Sequence, residues 1–342
     1  MRIKELDGLR GVSILLVVFF HYLSRWTDLY PYHSTFAEFP LFKYGSFGVQ
    51  LFFMISGLVI FMTLDKTTNF ILFMKKRWIR LFPSMLIVTI FVLITYKLFS
   101  SRPIGEPKII NSIPGLLLID PYWLEKVTKI PFASLEGAFW SLYVEFRFYF
   151  IFGFLYYLFD RKKAIWFLTI ICFVTLLLEI IAHPKILEFL FYDVLLGRYL
   201  FWFLVGMFCY EYMLGKLQEH KVSIALLILG GIIFAINKQP IDIIVAEVIC
   251  LVLFIGLILS EIIKKMMGNS LFIFFGTISY PLYLVHENAG VSLIVDLARI
   301  FPFIPSFIFP LISLSVMSLF AYGEVKYLSP KITDLFKKFI KV

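Results

Sequence analysis

Ten apolar stretches, each close to the length of a bilayer crossing, recur along this chain: 8–26, 45–64, 79–99, 138–159, 163–182, 197–214, 222–236, 241–263, 270–289 and 304–326. A helix rises about 1.5 Å per residue, so roughly 20 apolar residues cross a hydrocarbon core of about 30 Å. With 61% hydrophobic and 16% charged residues and a mean hydropathy of +0.90, the chain has too little polar surface for a soluble globule. The expected fold is an all-α membrane protein, a bundle of about ten transmembrane helices. The stretch 222–236 is short and is expected to be tilted or partly buried. No internal repeat is visible, and a single domain over 1–342 with no appended soluble domain is expected.

The formal net charge of +9 does not point to nucleic acid, because the bases sit in short clusters between apolar segments. Lys75, Lys76, Arg77 and Arg80, then Arg161, Lys162 and Lys163, then Lys331, Lys337 and Lys338 all fall on the side that the N-terminus occupies. The positive-inside rule therefore puts both termini in the cytoplasm, facing an anionic lipid surface. The longest connection, about 100–137, then lies outside. It carries Pro103, Pro107, Pro114, Pro121 and Pro131, and loops of that length are often lids or binding segments. Cys172, Cys209 and Cys250 lie in separate apolar stretches and read as small buried hydrophobes; no metal site is expected.

The first stretch, RIKELDGLRGVSILLVVFFHYLSRW, carries charge at its mouth and a histidine deep inside. It is no secretory signal peptide, since His21, Tyr22 and Arg25 stand where a small-residue cleavage site is needed. Arg10 and His21 are eleven residues apart, close to three helical turns, so they share a face and lie roughly 16 Å apart along the axis. Asp7 is on that face one turn before Arg10. An ionisable group at bilayer depth is costly and is tolerated where it faces a protein interior or a wet cavity. His21 is the first candidate for chemistry, although a lone intramembrane histidine also serves as an interhelical hydrogen bond.

Further polar groups sit in four other stretches. Gln50, Ser56 and Gly57 interrupt the second; Gly57 is accounted for equally well by close helix packing. Arg77 and Arg80 are neighbours on a helix and offer two planar donors to one phosphate, or act as a positive-inside anchor. Glu145 and Arg147, two residues apart, point to nearly opposite sides of the fourth span. Glu145 is roughly 10 Å below the outer surface, a level similar to His21, and a buried carboxylate near a histidine fixes its tautomer and raises its basicity. An interhelical salt bridge is the other reading. Tyr280, Tyr283, His286 and Glu287 lie toward the outer end of the ninth stretch, where headgroup water is expected.

LDGLRGVSILLVVFFHY, GVQLFFMISGLVIF, RWIRLFP, FWSLYVEFRFY and ISYPLYLVHE, in this order and spacing, resemble the acyltransferase-3 family of integral-membrane acyltransferases. The resemblance runs from Leu6 to about Glu287. It implies a ten-helix bundle in the bacterial inner membrane that takes acyl groups from cytoplasmic acyl-CoA, acetyl-CoA first among them as co-substrate. The acceptor it implies is an envelope carbohydrate or lipid-linked glycan, such as lipopolysaccharide, exopolysaccharide or peptidoglycan. Its Arg-x10-His pattern falls on Arg10 and His21, with His21 in the catalytic position, it puts Arg77 and Arg80 at the acyl-CoA end, and the glutamate of its Trp-Ser-Leu-x-Val-Glu motif falls on Glu145. Gln50 stands where many members have Asp, and Phe146-Arg147 replaces a more usual polar pair. Many members also carry an extracytoplasmic hydrolase-like domain, so a partner protein that completes the transfer is an expected possibility.

Residues and resemblance converge on one scheme. Acyl-CoA enters from the cytoplasm with its phosphates on Arg77, Arg80 and Arg10, and its arm reaches toward His21. His21, oriented by Glu145 or another acceptor, removes the proton of a sugar hydroxyl or takes the acyl group itself; the sequence leaves both open. Ser56, Tyr149, Tyr280 and His286 are candidate substrate-side neighbours. A secondary transporter, or a membrane acyltransferase acting on lipid or protein, are the alternatives, but repeated halves with broken helices at matching positions are not found.

Overall fold

The computed structural model describes residues 3–98, 100–181 and 196–340, and among them there are helices and turns but no strand. Positions 99 and 182, where two of the expected spans end, lie outside the described residues. The long helices are α1 Lys4–Leu23, α2 Gly48–Leu64, α3 Phe70–Thr95, α4 Trp140–Leu158, α5 Arg161–Ile181, α6 Tyr199–Met213, α7 Lys221–Lys238, α8 Ile241–Leu259, α9 Ser270–Val285, α10 Asn288–Ile300, α11 Phe309–Gly323 and α12 Ser329–Ile340.

Among the described residues eight helices are long and apolar enough to cross a membrane, or nine if Glu261–Met267 and α9, bent by 66°, count as one span. Two expected crossings account for the difference from about ten. Helix α6 has 15 residues, which reach only about 22 Å against a core of about 30 Å. The stretch 270–289 is not one helix: α9 stops at Val285, a turn follows at His286 and Glu287, and α10 starts at Asn288. Hydropathy cannot see such a break, because the chain stays mostly apolar through it.

The described residues gather into two compact units, one made of Met1–Val49, Trp78–Tyr143 and Met267–Val342, the other of Gln50–Arg77 and Val144–Met266. In the first unit α1 packs against α9 with backbones in close contact. A Cβ on Gly8 would lie 1.7 Å from the Met267 carbonyl oxygen, and one on Gly276 would lie 1.7 Å from that of Asp7. Small residues at such crossings let van der Waals packing hold membrane helices together. The end of α1 is fixed from two further sides. Ser313 on α11 donates to the Gly290 carbonyl at 2.8 Å and lies 3.1 Å from the Tyr22 hydroxyl, and the Tyr32 hydroxyl donates to the Tyr22 carbonyl.

The second unit has an aromatic centre, with Phe148 and Phe203 stacked at 3.9 Å between ring centroids. A polar knot ties its helix ends: Arg161 lies between Glu211 and Asp65, the latter at 3.4 Å, and His220 Nε2 is 3.5 Å from Glu211. Glu211 is only 1% exposed, so these partners offset the cost of burying its charge.

Candidate active site

The last turn of α1 delivers His21 to the break between α9 and α10. His286 is fully buried, and its Nδ1 lies 2.8 Å from the Tyr283 carbonyl oxygen. A carbonyl only accepts, so this nitrogen carries the proton and the His286 Nε2 is left with a lone pair. That lone pair faces His21 Nδ1 at 3.2 Å. His21 Nδ1 is also 2.9 Å from the Val17 carbonyl oxygen. Both neighbours are acceptors, so His21 Nδ1 carries the proton in every arrangement, and its chemistry is left to Nε2.

His21 Nε2 lies 3.4 Å from Glu287 Oε1, with the histidine side chain 14% exposed and the glutamate side chain 9%. With Nδ1 protonated, the Nε2 lone pair is the basic site left on the ring, and the Glu287 carboxylate stands beside it. This is a poised base: a group that accepts a proton from a third party and finds a counter-charge already beside it. His286 and Glu287, expected in headgroup water, are thus buried, because the helix break folds them back against α1 instead of letting them emerge.

The long connection, about 100–137, closes over the other side of Glu287. A Cβ on Gly137 would lie 2.4 Å from Glu287 Oε2, so the backbone there approaches the carboxylate as only glycine allows. One residue earlier, Glu136 accepts from Arg102 Nη1 at 3.2 Å and from the Asn288 amide at 3.2 Å. The Arg102 side chain is 2% exposed and that of Glu136 0%. Burial, with Glu287 nearby, holds the Glu136 carboxyl well above the usual carboxylate range, against the pull of Arg102. The start of the connection is tied to α10 as well. Asp296 accepts from the Ser100 amide at 3.0 Å and the Ser101 hydroxyl at 2.6 Å, and Asn288 Oδ1 accepts from the Ile104 amide at 3.3 Å.

The other residues singled out in the sequence fall elsewhere. Arg10 Nη1 donates to Asp7 Oδ1 at 3.0 Å, as their spacing predicts. Tyr280 donates to the Leu81 carbonyl at 3.0 Å. In the second unit Ser56 and Tyr149 both donate to Glu145 Oε1. The carboxylate that meets His21 is therefore Glu287, while the described hydrogen bonds of Glu145 go to Ser56 and Tyr149. Arg77 and Arg80 are not equivalent. Arg77 is 2% exposed, donates to Thr63 and to the Val59 carbonyl at 3.4 Å, and lies over the Tyr149 ring at 4.8 Å, whereas Arg80 is exposed.

Arg102, Glu136, Gly137 and Asn288 carry no sequence signal that marks them. Their roles come from contacts between residues distant in the chain, Arg102 with Glu136 34 residues away and the Asn288 amide with Glu136 152 residues away. No curated protein and no solved structure gave a match to the chain. The family model described as an acyltransferase domain matches residues 3–325. With nearly the whole chain covered, the protein belongs to the acyltransferase-3 family and is a membrane acyltransferase.

Proposed function

We propose that this protein transfers an acyl group, acetyl first among candidates, from cytoplasmic acyl-CoA to a hydroxyl of an envelope carbohydrate or lipid-linked glycan in the bacterial inner membrane. The observation that carries the chemistry is His21 Nε2 facing Glu287 Oε1 at 3.4 Å while His21 Nδ1 is committed to two acceptors. An acceptor hydroxyl that reaches Nε2 gives its proton to it, and its oxygen attacks the thioester carbonyl. The new C–O bond forms as the C–S bond breaks. The imidazolium is stabilised by Glu287 and returns its proton to the departing CoA sulfur. His286 holds the His21 ring in the productive orientation throughout.

Exposed Arg80, together with Arg10, is assigned to the phosphates of acyl-CoA at the cytoplasmic mouth. Within the second unit Arg77, Tyr149, Glu145 and Ser56 form a continuous polar run, which we assign to binding acyl-CoA. Tyr280 is kept as a substrate-side neighbour in the second half of α9. A partner protein that carries the acyl group onward is part of the proposal.

The test is chemical analysis of the envelope. A strain lacking this protein should lose a base-labile ester from one surface glycan and regain it on complementation. An unchanged glycan ester profile together with altered lipid or protein acylation would contradict the carbohydrate acceptor.

A further inference from the structure

The acyl-transfer scheme uses one face of Glu287, and on its other face stands a buried ion pair that the scheme does not require. Arg102 and Glu136 are 3.2 Å apart and all but sealed from solvent. Glu136 is joined to Glu287 through the Asn288 amide and through Gly137, whose backbone rests on the Glu287 carboxylate. Two buried carboxylates this close compete for protons unless one of them has its own counter-ion. Arg102 is that counter-ion, since a guanidinium stays cationic in proteins.

We propose that the Arg102–Glu136 pair is a charge-neutral brace that reserves Glu287 for His21, and that through it the outer connection sets the pH at which the reacting pair releases its proton. This rests on the reading of His21 and Glu287 as the reacting pair. Arg102 and Glu136 are positioning residues, acting only through Glu287. The charged and titratable groups around Glu287 are His21, Arg25 and Tyr30 from α1 and the segment after it, His286 beside it, and Glu136 from the outer connection. Asp296 on α10 bears on Arg102. Among the described residues around Glu287, Arg102 and Glu136 form a sealed pair of opposite charges, and substituting either one changes the net charge there.

The signs follow from charge. Without Arg102, two carboxylates and His21 share one site, and the site takes up a proton at higher pH than in the wild type. Without Glu136, a negative charge near Glu287 is gone while Arg102 keeps its charge and Asp296, and the proton leaves at lower pH. Removing both restores neutrality.

The experiment is the pH profile of label transfer from acetyl-CoA in membranes containing the full chain, with abundance measured for each variant. Arg102→Met should move the acidic limb up by about one pH unit and Glu136→Gln should move it down by about one, the usual scale for a nearby charge. The double variant should return the limb to within a few tenths of wild type. A structural clamp would not produce opposite shifts or this rescue. If Arg102→Met fails to accumulate, the near-isosteric Glu136→Gln decides alone: a downward shift supports the brace, and an unmoved limb overturns it. Single variants that shift the limb in the same direction, or a double variant displaced further than either, also overturn it. Glu287→Gln separates the two levels. If it keeps the wild-type rate and limb, the reacting pair itself is wrong; if it is defective while the brace variants leave the limb unmoved, only the brace is.

Discussion

At the scale of residues, the site is a chain of assigned protons. Tyr283 fixes the proton on His286 Nδ1, His286 and Val17 fix the one on His21 Nδ1, and Nε2 is left facing Glu287. Replacing His286 with Phe removes one acceptor while keeping a ring in the space. It should lower kcat by roughly ten- to a hundredfold, below the usual worth of the base itself, with KM for acyl-CoA unchanged. Steady-state label transfer measures both. The two arginines of α3 should separate in the opposite sense. Arg80→Ala should raise KM for acyl-CoA with little loss of protein, whereas Arg77→Ala, which strips Thr63 and Tyr149 of a buried cation, should lower abundance and melting temperature. Spacing along one helix made the Asp7–Arg10 pair and the shared face of Arg10 and His21 legible in the sequence. It could not tell buried Arg77 from exposed Arg80, because residues three apart share a face and the neighbouring helices decide which of them is covered. Glu287 was harder still: its partner is 266 positions away, and a place at the end of an apolar run reads as headgroup water.

At the scale of elements, two close approaches hold the site together. The first is the crossing of α1 and α9, where Gly276 meets the Asp7 carbonyl with no room for a methyl group. Gly276→Ala should separate the helices, cost about 1–3 kcal/mol of stability as overpacking does, and draw His21 away from His286. Thermal unfolding in detergent and label transfer together report this. The second is Gly137 on Glu287. There the obstacle is the end of a flexible side chain, so Gly137→Ala should leave the melting temperature within a few degrees of wild type while displacing the carboxylate and cutting transfer severely. Equal loss of fold and rate would show Gly137 to be a packing residue. The helices themselves were legible because apolar length is what a bilayer selects. The break at His286 and Glu287 was not, since an apolar run continues on both sides of it, and that break is what turns two polar residues inward.

At the scale of the whole molecule, we propose from the basic clusters at alternate connections that both termini and the acyl-CoA mouth face the cytoplasm and the long connection the outside. Inside-out vesicles should therefore accept label from added acetyl-CoA, and sealed right-side-out vesicles should not. The helical membrane architecture and the family were both legible, because one rests on hydropathy and the other on motifs within single helices. The dyad and its brace were not, because they arise only where α1, α10 and the outer connection meet. The most direct test of the account sets the two glutamates against each other: initial rates of acetyl transfer at matched abundance for wild type, His21→Ala, Glu287→Gln and Glu145→Gln. The account predicts that His21→Ala abolishes transfer, that Glu287→Gln lowers kcat by about a hundred- to ten-thousandfold, and that Glu145→Gln acts mainly on KM for acyl-CoA. Full activity in Glu287→Gln, with loss of kcat in Glu145→Gln, would contradict it.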